Sequence, residues 1–334
     1  MKKLLCALLC AGLWAAALGG CSNGEEPAPS PSPSPEVSQT EESSYKIGLV
    51  QYQEHTALDN LREAFMGRLE EWGCDETQVE IDYQNAGGDA GKAEEICQGF
   101  VEKDVDMIVA ISTPAAQAAL EAARGSQAAV VFTGVSSGAA LDLTGVTATG
   151  VVSPLPGEDL LALARQGNSS LATVGLLYNP EEPGAREEAD RLKTLCTDQG
   201  LEVIESAVTS QEGAAEAATK LCAQVDAVFT PADNTIAPAA AQVAEAMRAA
   251  GKPWYVGSDA MVQAGALASI GVTGREMGVK AADMAVELIQ GRPIDQVPQY
   301  TFESFSTFVN QTTLTALEGF TFPEETLQGA FVYQ

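Results

Sequence analysis

His55 is the only histidine among the 334 residues and is therefore the first candidate for chemistry near pH 7. It lies in the stretch VQYQEHTALDNLR, residues 50–62, where an apolar run gives way to an amphipathic one. A histidine there can act as a base, bind a metal, or contact a ligand. A neutral imidazole donates one hydrogen bond, accepts another and can stack on a flat ligand. The residues elsewhere in the chain decide among these roles.

A metal or cofactor site is not supported by the sequence. The commonest metal ligand occurs once, and there is neither an HExxH pattern nor a Cys-His cluster. No G-x-G-x-x-G follows the first predicted strand, which ends in QYQEH, so a dinucleotide is not predicted either. We expect no metal ligand and no cofactor.

A serine hydrolase site has one point in its favour, because GVSSG at residues 134–138 matches G-x-S-x-G. In such hydrolases the serine lies on a turn from a strand into a helix, and the histidine follows it in the chain. Here His55 precedes Ser136, and AALDLTG offers hardly two helical turns. We therefore expect no catalytic residue and interpret His55 as a ligand-binding group, with a solvated histidine at a helix start as the alternative.

The order of predicted elements shows how these residues are positioned. Apolar runs of strand length alternate with amphipathic helices over residues 46–124, and the series repeats over residues 173–250. This alternation predicts an α/β fold with doubly wound parallel sheets. The halves share landmarks, since IGLVQY corresponds to VGLLYN and VDMIVAISTPAAQAA to VDAVFTPADNTIAPAA. We predict two similar Rossmann-like lobes.

Polar residues follow most of the predicted strands. In parallel sheets the ligand crevice lies beyond the carboxyl ends of the strands, where helix N-termini present unpaired N–H groups. Ser, Thr, Asp and Asn at such junctions are also ordinary N-caps, worth about 1 kcal/mol each, which is the structural alternative for each of them. The candidate ligand-binding residues at these ends are Gln51, Tyr52, His55, Ser112, Thr113, Phe132, Tyr178, Asp233, Asn234, Thr235 and Asp259.

The chemistry of these candidates suits a zwitterionic ligand. Asp233 or Asp259 would pair with an ammonium group. Helix N-termini would hold a carboxylate, through two pairs of residues: Ser112 with Thr113, and Asn234 with Thr235. An apolar or aromatic side chain of the ligand would be flanked by Tyr52, His55 and Phe132.

The first 44 residues carry a different kind of signal. Two lysines, an apolar run and the box LGGC predict a secretory signal peptide over residues 1–20. Residues 21–44 are rich in Pro and Ser, which cannot bury apolar surface, and they predict an extended tether. LGGC also resembles the lipobox of bacterial lipoproteins, in which the cysteine carries the lipid. We therefore expect lipidation of Cys21.

Charge and cysteine content set further limits. The chain has 18 basic and 46 acidic residues, for a formal net charge of −28 at pH 7. Such a surface repels nucleic acid, so no nucleic-acid partner is expected. The predicted folded body contains four widely spaced cysteines without a CxxC pair, and we expect buried free thiols rather than disulfides: Cys74, Cys97, Cys196 and Cys222.

Several motifs together resemble one family over essentially all of residues 45–334. The motifs are IGLVQYQEHTALD, IDYQNAGGDAGKAEEI, VDMIVAISTPAAQAA, VGLLYNPEEPG, VDAVFTPADNTIAP and GALASIGVTGREMGVKAADMAVELIQGRP. As a set they are similar to the ABC-transporter substrate-binding lipoproteins of the tryptophan-uptake type. The resemblance implies the type I periplasmic-binding-protein fold, with a hinge crossed three times. It places lobe 1 at 45–153 plus 272–298 and lobe 2 at 154–271 plus 299–334.

The same resemblance implies the function. It indicates a non-catalytic, monomeric receptor on the extracytoplasmic face of a membrane, held there by its lipid. Such a receptor delivers a small molecule, often an aromatic amino acid, to an ABC permease and its ATPase. The sequence leaves two alternatives open: a ligand-sensing lipoprotein that works with a signalling partner, and a secreted serine hydrolase that uses Ser136.

The chain departs from the family's pattern at three places. Thr56 stands where the family tends to have proline after the histidine. Pro183 and Gly184 replace an Asn-Ser pair, and Thr273 and Gly274 stand where an aromatic residue often follows IGV. The last two departures remove a hydroxyl and an aromatic face from the expected cleft, so the identity of the amino acid is left open.

Overall fold

The computed structural model describes residues 44–334. The predicted signal peptide, Cys21 and nearly all of the tether lie outside the described residues. In chain order the strands are β1 Tyr45–Gln51, β2 Val79–Asn85, β3 Met107–Ile111, β4 Ala129–Val135, β5 Ala148–Val152, β6 Thr173–Tyr178, β7 Glu202–Ala207, β8 Ala227–Thr230, β9 Trp254–Val256, β10 Ala268–Gly271, β11 Tyr300–Thr301, β12 Ser306–Asn310 and β13 Phe331–Tyr333. The α-helices are α1 Thr56–Glu71, α2 Ala90–Glu102, α3 Thr113–Ala123, α4 Gly157–Gly167, α5 Pro183–Asp198, α6 Ala214–Cys222, α7 Ala240–Ala249, α8 Asp259–Gln263, α9 Gly274–Ile289, α10 Gln311–Ala316 and α11 Glu324–Gln328.

These elements form two sheets dominated by parallel strands, which confirms the predicted fold class. The first sheet has the order β11-β5-β4-β3-β1-β2, and the second has the order β13-β12-β10-β9-β8-β6-β7. Among the strands of residues 44–334, the one antiparallel pairing is β10 with β12. Most connections between parallel strands contain an α-helix, because parallel neighbours need a crossover and an amphipathic helix covers the sheet face. The connection between β4 and β5 contains only a 3₁₀ turn. The carboxyl ends of β1, β3 and β4 thus lie at one edge of the first sheet.

The second half of the chain contributes one strand to the first sheet. Residues 299–334 were expected in the second lobe, but β11 is hydrogen-bonded to β5, with Tyr300 opposite Val151 and Thr301 opposite Val152. The assignment of these two residues was wrong because the strand is two residues long and exposed, so it carries no apolar pattern that would indicate its sheet.

Close packing of α9 on α1 ties a late segment of the chain to the first sheet. Glycines make this approach possible: a Cβ on Gly278 would lie 2.2 Å from the carbonyl oxygen of Leu61, and one on Gly274 would lie 2.8 Å from that of Ala57. The contact fixes the beginning of α9 beside the beginning of α1, which is where His55 lies.

The cysteines agree with the prediction of free thiols. Cys97, Cys196 and Cys222 are buried, Cys74 is half-buried, and all four are unpaired. No helix in residues 44–334 is long and apolar enough to cross a membrane.

Candidate functional site

A cavity lies where the carboxyl ends of the strands of the two sheets face each other. It is lined by the segments that follow β1, β3, β4 and β5 on one side and β6, β8 and β9 on the other, with the beginning of α9. Its volume is about 80 Å³, counted as the space open to the centre of a water molecule. A single water needs about 10–15 Å³ on this measure, so the cavity has room for a small organic molecule.

Five of the predicted site residues line this cavity. They come from both sheets, as the position of polar residues at strand ends indicated: His55, Thr113, Asp233, Asn234 and Asp259. Apolar side chains lie between them, including Leu58, Leu61, Val135, Met261 and Met277. Among the residues that the structure describes, no lysine, arginine, phenylalanine, tyrosine or tryptophan lines the cavity.

The expected aromatic flanks do not line the cavity. Phe132 is fully buried inside β4, where its ring packs against Gly150 of the neighbouring strand. Tyr52 donates its hydroxyl hydrogen to the carbonyl oxygen of Gly88, 2.7 Å away, and lines a separate surface groove. The sequence placed both residues near strand ends, but it did not show which face of the sheet each side chain takes.

Four further candidates also have other partners. Gln51 donates to Asp59 and accepts from Arg62. The Tyr178 hydroxyl donates to Glu205 at 2.8 Å. Ser112 caps α3, and Thr235 is hydrogen-bonded to a carboxylate within its own lobe. For Ser112 this is the N-cap role that sequence analysis gave as the structural alternative.

The carboxylate that binds Thr235 is Glu182, which sequence analysis did not select. Its Oε2 accepts hydrogen bonds from the backbone N–H of Asn234 at 3.0 Å and from Nδ2 of that residue at 2.7 Å. Its Oε1 accepts from the N–H and the hydroxyl of Thr235 at 2.8 and 2.7 Å. The expectation that Asn234 and Thr235 hold a ligand carboxylate was therefore wrong, because a carboxylate of the protein already occupies these donors.

Asp233 is engaged in a similar way. Its two carboxylate oxygens accept from the backbone N–H groups of Asn179 at 2.6 Å and of Thr235 and Ile236 at 2.9 Å each. Burial, together with the nearby charge of Glu182, raises the pKa of Asp233. Asp233 thus braces the loops after β6 and β8 against each other.

Asp259, at the beginning of α8, is the third carboxylate that lines the cavity. Its Oδ2 accepts from the Tyr333 hydroxyl at 3.2 Å and from Gln263 at 3.5 Å. Burial raises the pKa of Asp259. A buried carboxylate with few donors gains most from a cationic partner.

The N-termini of two helices, α3 and α5, meet at another part of the cavity wall. A Cβ on Gly184 would lie 2.8 Å from Thr113 Oγ1 and 3.0 Å from Ser136 Oγ. Gly184 and Ala185 occupy the first turn of α5, whose N–H groups have no acceptor within the helix. Two helix N-termini and two hydroxyl groups therefore converge from opposite lobes, and such a group of donors suits an anion.

Ser136 belongs to this wall although it was considered only as a nucleophile. The segment that follows it forms only a 3₁₀ turn, Gly138–Ala140, and no α-helix, as the shortness of AALDLTG indicated. The signal that could have identified Ser136, Gly184 and Glu182 was their position after β4 and β6, the same criterion that selected His55. Each follows a buried strand.

Direct contacts join the two lobes across the cavity. His55 Nε2 lies 3.1 Å from Asn234 Oδ1, and the Ser137 hydroxyl donates to Glu187 at 2.6 Å. Burial lowers the pKa of His55, so the ring is neutral at pH 7. Its second nitrogen, Nδ1, is buried and has no hydrogen-bond partner among residues 44–334. These contacts hold the two lobes closed on each other.

Known proteins that are similar to this chain in sequence and fold include two whose names mention an aromatic amino acid. The chain is 28% identical over 325 residues to a tyrosine-binding protein of Clostridioides difficile, covering 95% of this chain and 92% of that protein. A crystal structure of an ABC domain in complex with L-Trp from Streptococcus pneumoniae is 31% identical, with a TM-score of 0.80, and covers 87% of this chain and 100% of its own.

A ligand-free, open structure of a substrate-binding protein with adhesive properties from Clostridium difficile is 28% identical, covers 87% of this chain and 99% of its own, and has a TM-score of 0.64. The sequence profile of the ABC transporter substrate binding protein family matches residues 46–333. Members of this family are extracytoplasmic solute-binding proteins and not enzymes, and they work with an ABC permease. The chain belongs to the ABC transporter substrate-binding protein family.

Proposed function

We propose that this protein binds a zwitterionic amino acid with an aromatic or branched apolar side chain in the cavity between its lobes. The observation that carries the proposal is the division of the cavity wall into an electropositive part, an acidic part and an apolar part. Free α-amino acids present these three kinds of group on one carbon atom.

The carboxylate of the ligand is assigned to the convergent N-termini of α3 and α5. Thr113 and Ser136 offer hydroxyl donors there, and the first turn of α5 offers backbone N–H groups. The cavity wall has no lysine or arginine within the described residues, so helix dipoles and neutral donors must supply the stabilisation. Each helix N-terminus contributes roughly 0.3–2 kcal/mol with an anion, depending on burial.

The ammonium group is assigned to the acidic part, with Asp259 as its principal carboxylate. Asp233 and Glu182 are less available because backbone N–H groups already use their oxygens. An ammonium beside Asp259 would remove the cost of burying that charge, which raises the pKa of Asp259 in the free protein.

The side chain of the ligand is assigned to the apolar part of the wall. Leu58, Leu61 and the two methionines, Met261 and Met277, supply it. Methionine is flexible and makes favourable contacts with aromatic rings, so it can replace the missing aromatic flanks. The names of the relatives, one tyrosine-binding and one in complex with L-Trp, favour an aromatic amino acid.

The closed arrangement of the lobes supports the same conclusion. The TM-score is higher against the L-Trp complex than against the ligand-free, open structure, although the two identities are similar. A ligand that contacts both lobes binds the closed form better and shifts the equilibrium towards it.

A thermal-shift screen of the twenty amino acids tests this function. A ligand at 100 times its dissociation constant should stabilise the protein by about 2.7 kcal/mol, with L-tyrosine and L-tryptophan among the hits. Asp259→Asn should lower the affinity for such an amino acid tenfold or more. Asp190 is an exposed carboxylate on α5, and Asp190→Asn should leave the affinity unchanged. If no amino acid raises the melting temperature, or if both variants bind as the wild type does, the assignment of the site is wrong.

We further propose that the protein is lipidated on Cys21, held on the extracytoplasmic face, and delivers its ligand to a permease and its ATPase. The LGGC box and the Pro-Ser tether support this proposal. A Cys21→Ser variant should leave the membrane fraction and lose the lipid mass. Membrane retention of the variant, with the same mass as the wild type apart from the substitution, would refute it.

A further inference from the structure

The segment of residues 136–145, called the strap below, leads out of β4 and is fastened to α3. Gln117 on α3 donates to the carbonyl oxygen of Ala140 at 2.8 Å. Arg124, which follows the last residue of the same helix, donates to the carbonyl oxygen of Thr144. The strap is thus held in place on the first lobe.

One face of α5, on the second lobe, meets the beginning of the strap. Gly184 and Glu187 are three residues apart on this helix, so they lie on the same face. A Cβ on Gly184 would lie 3.0 Å from Ser136 Oγ, and the carboxylate of Glu187 accepts the hydroxyl hydrogen of Ser137 at 2.6 Å. Two consecutive serines of the first lobe therefore contact two positions, one turn apart, on a helix of the second lobe.

The two serines differ in their relation to the cavity. Ser136 lines it, whereas Ser137 and Glu187 do not. Ser137 Oγ also accepts the backbone N–H of Ala139 at 3.3 Å, which helps to orient its hydroxyl. Among residues 44–334, Ser137 is the one hydrogen-bond donor to Glu187. The Ser137–Glu187 hydrogen bond thus joins the lobes without being part of the cavity wall.

This hydrogen bond favours the closed arrangement of the lobes. Hydrogen bonds from a hydroxyl to a carboxylate are short and about twice as strong as those between neutral groups. Ser137 is 5% exposed and Glu187 is half-buried, so water competes little for the contact. When the lobes separate, both groups return to water. Because the contact joins two groups of the protein, it stabilises closure with or without a ligand.

We propose that Ser137 and Glu187 form a latch that stabilises the closed arrangement and thereby raises the affinity for every ligand of the cavity, although neither residue touches the ligand. The proposal rests on the proposed function. A ligand carboxylate at Ser136 and the latch both require the same approach of α5 to the strap, so each favours the other. Ser137 and Glu187 are positioning residues, because the measured affinity includes the equilibrium of closing.

A latch differs from a ligand contact in its effect on selectivity. It stabilises closure equally whichever ligand is bound, so its loss should lower the calorimetric affinities for L-tyrosine and L-tryptophan by the same factor. For Glu187→Ala we expect a loss of about threefold to tenfold. Glu187→Gln keeps an oxygen acceptor without the charge and should lose less. Asp190→Asn removes an exposed charge three residues further along α5, and as the control it should bind as the wild type does.

A double-mutant cycle separates the latch from other effects of the two side chains. Ser137→Ala and Glu187→Ala each break the same hydrogen bond, so the double variant should bind no more weakly than the weaker of the two single variants. Losses that multiply in the double variant would overturn the latch. Wild-type affinity in Glu187→Ala, or losses that differ between the two amino acids, would overturn it as well.

Hydrogen exchange of the ligand-free protein tests the latch without any ligand. Peptides that cover the strap should exchange faster in Glu187→Ala than in the wild type, whereas Asp190→Asn should match the wild type. Equal exchange in Glu187→Ala and the wild type would overturn the latch whether or not an amino acid binds. If the exchange differs but the wild type binds no amino acid, the proposed function fails and the closing contact stands. Melting temperatures of the free variants close to that of the wild type show that the fold is intact.

Discussion

Glu188 on α5 is a buried carboxylate at the first crossing between the lobes, and its environment predicts a measurable pH effect. The side chain is 2% exposed, and its Oε1 accepts the backbone N–H of Leu155 at 2.8 Å. Its Oε2 is buried without a partner among the described residues, and Arg191 lies 3.7 Å from Oε1. Burial is the main reason that the pKa of Glu188 is raised from 4.5 to about 7.

The magnitude and sign follow from this pKa. The folded state holds the proton more tightly than the unfolded state, so the stabilisation is fully present below about pH 4.5 and is lost as the pH rises through about 7. Each pKa unit corresponds to 1.36 kcal/mol, so the total is about 3 kcal/mol. Between pH 5 and pH 8 the free energy of unfolding should change by roughly 2–3 kcal/mol from this group.

Glu188→Gln isolates the effect. The glutamine keeps an oxygen for the Leu155 N–H but does not ionise, so the wild type should lose roughly 2–3 kcal/mol relative to the variant between pH 5 and pH 8. Urea denaturation at several pH values measures the difference, and contributions of His55 and Asp233 are common to both proteins and cancel. Asp190→Asn, on the exposed side of the same helix, is the control for charge removal and should show no such trend. Parallel pH profiles of wild type and Glu188→Gln would refute the reasoning.

Gly278→Ala should destabilise the fold by about 1–3 kcal/mol in urea, because its Cβ would lie 2.2 Å from a backbone carbonyl of α1. Gly67→Ala, at an open position of α1, should be neutral or stabilising by up to about 1 kcal/mol, and equal effects of the two would contradict the packing argument. Gly184→Val should prevent full closure of the lobes at Thr113 and lower the affinity for any bound amino acid at least tenfold in calorimetry. The melting temperature of the free protein should change little, and an unchanged affinity would contradict the location of the site. Of the four cysteines in residues 44–334, Cys74 should react first with a thiol reagent, since the other three are buried. Peptide mapping that finds a different cysteine modified first would contradict this expectation.

The sequence by itself determined the local structure and the general place of the site. Runs such as MIVAI and TVGLLY are apolar over the length of a strand, and the helices between them repeat their apolar residues every three to four positions, so the element types needed no tertiary information. The rule that parallel strands point their carboxyl ends to one edge then placed His55, Thr113 and Asp259 near the ligand crevice.

Only the tertiary structure decided which of the polar residues at that edge are free to bind. Glu182 fills the donors of Asn234 and Thr235, which are 52 and 53 residues away in the chain, and Asp233 binds Asn179 across 54 residues. A local pattern carries no information on such pairings, because they depend on how loops of separate βα units meet. The same holds for the direction of Phe132, set by the packing of neighbouring strands, and for the approach of Gly184 to Thr113, which brings the two lobes together across the cavity.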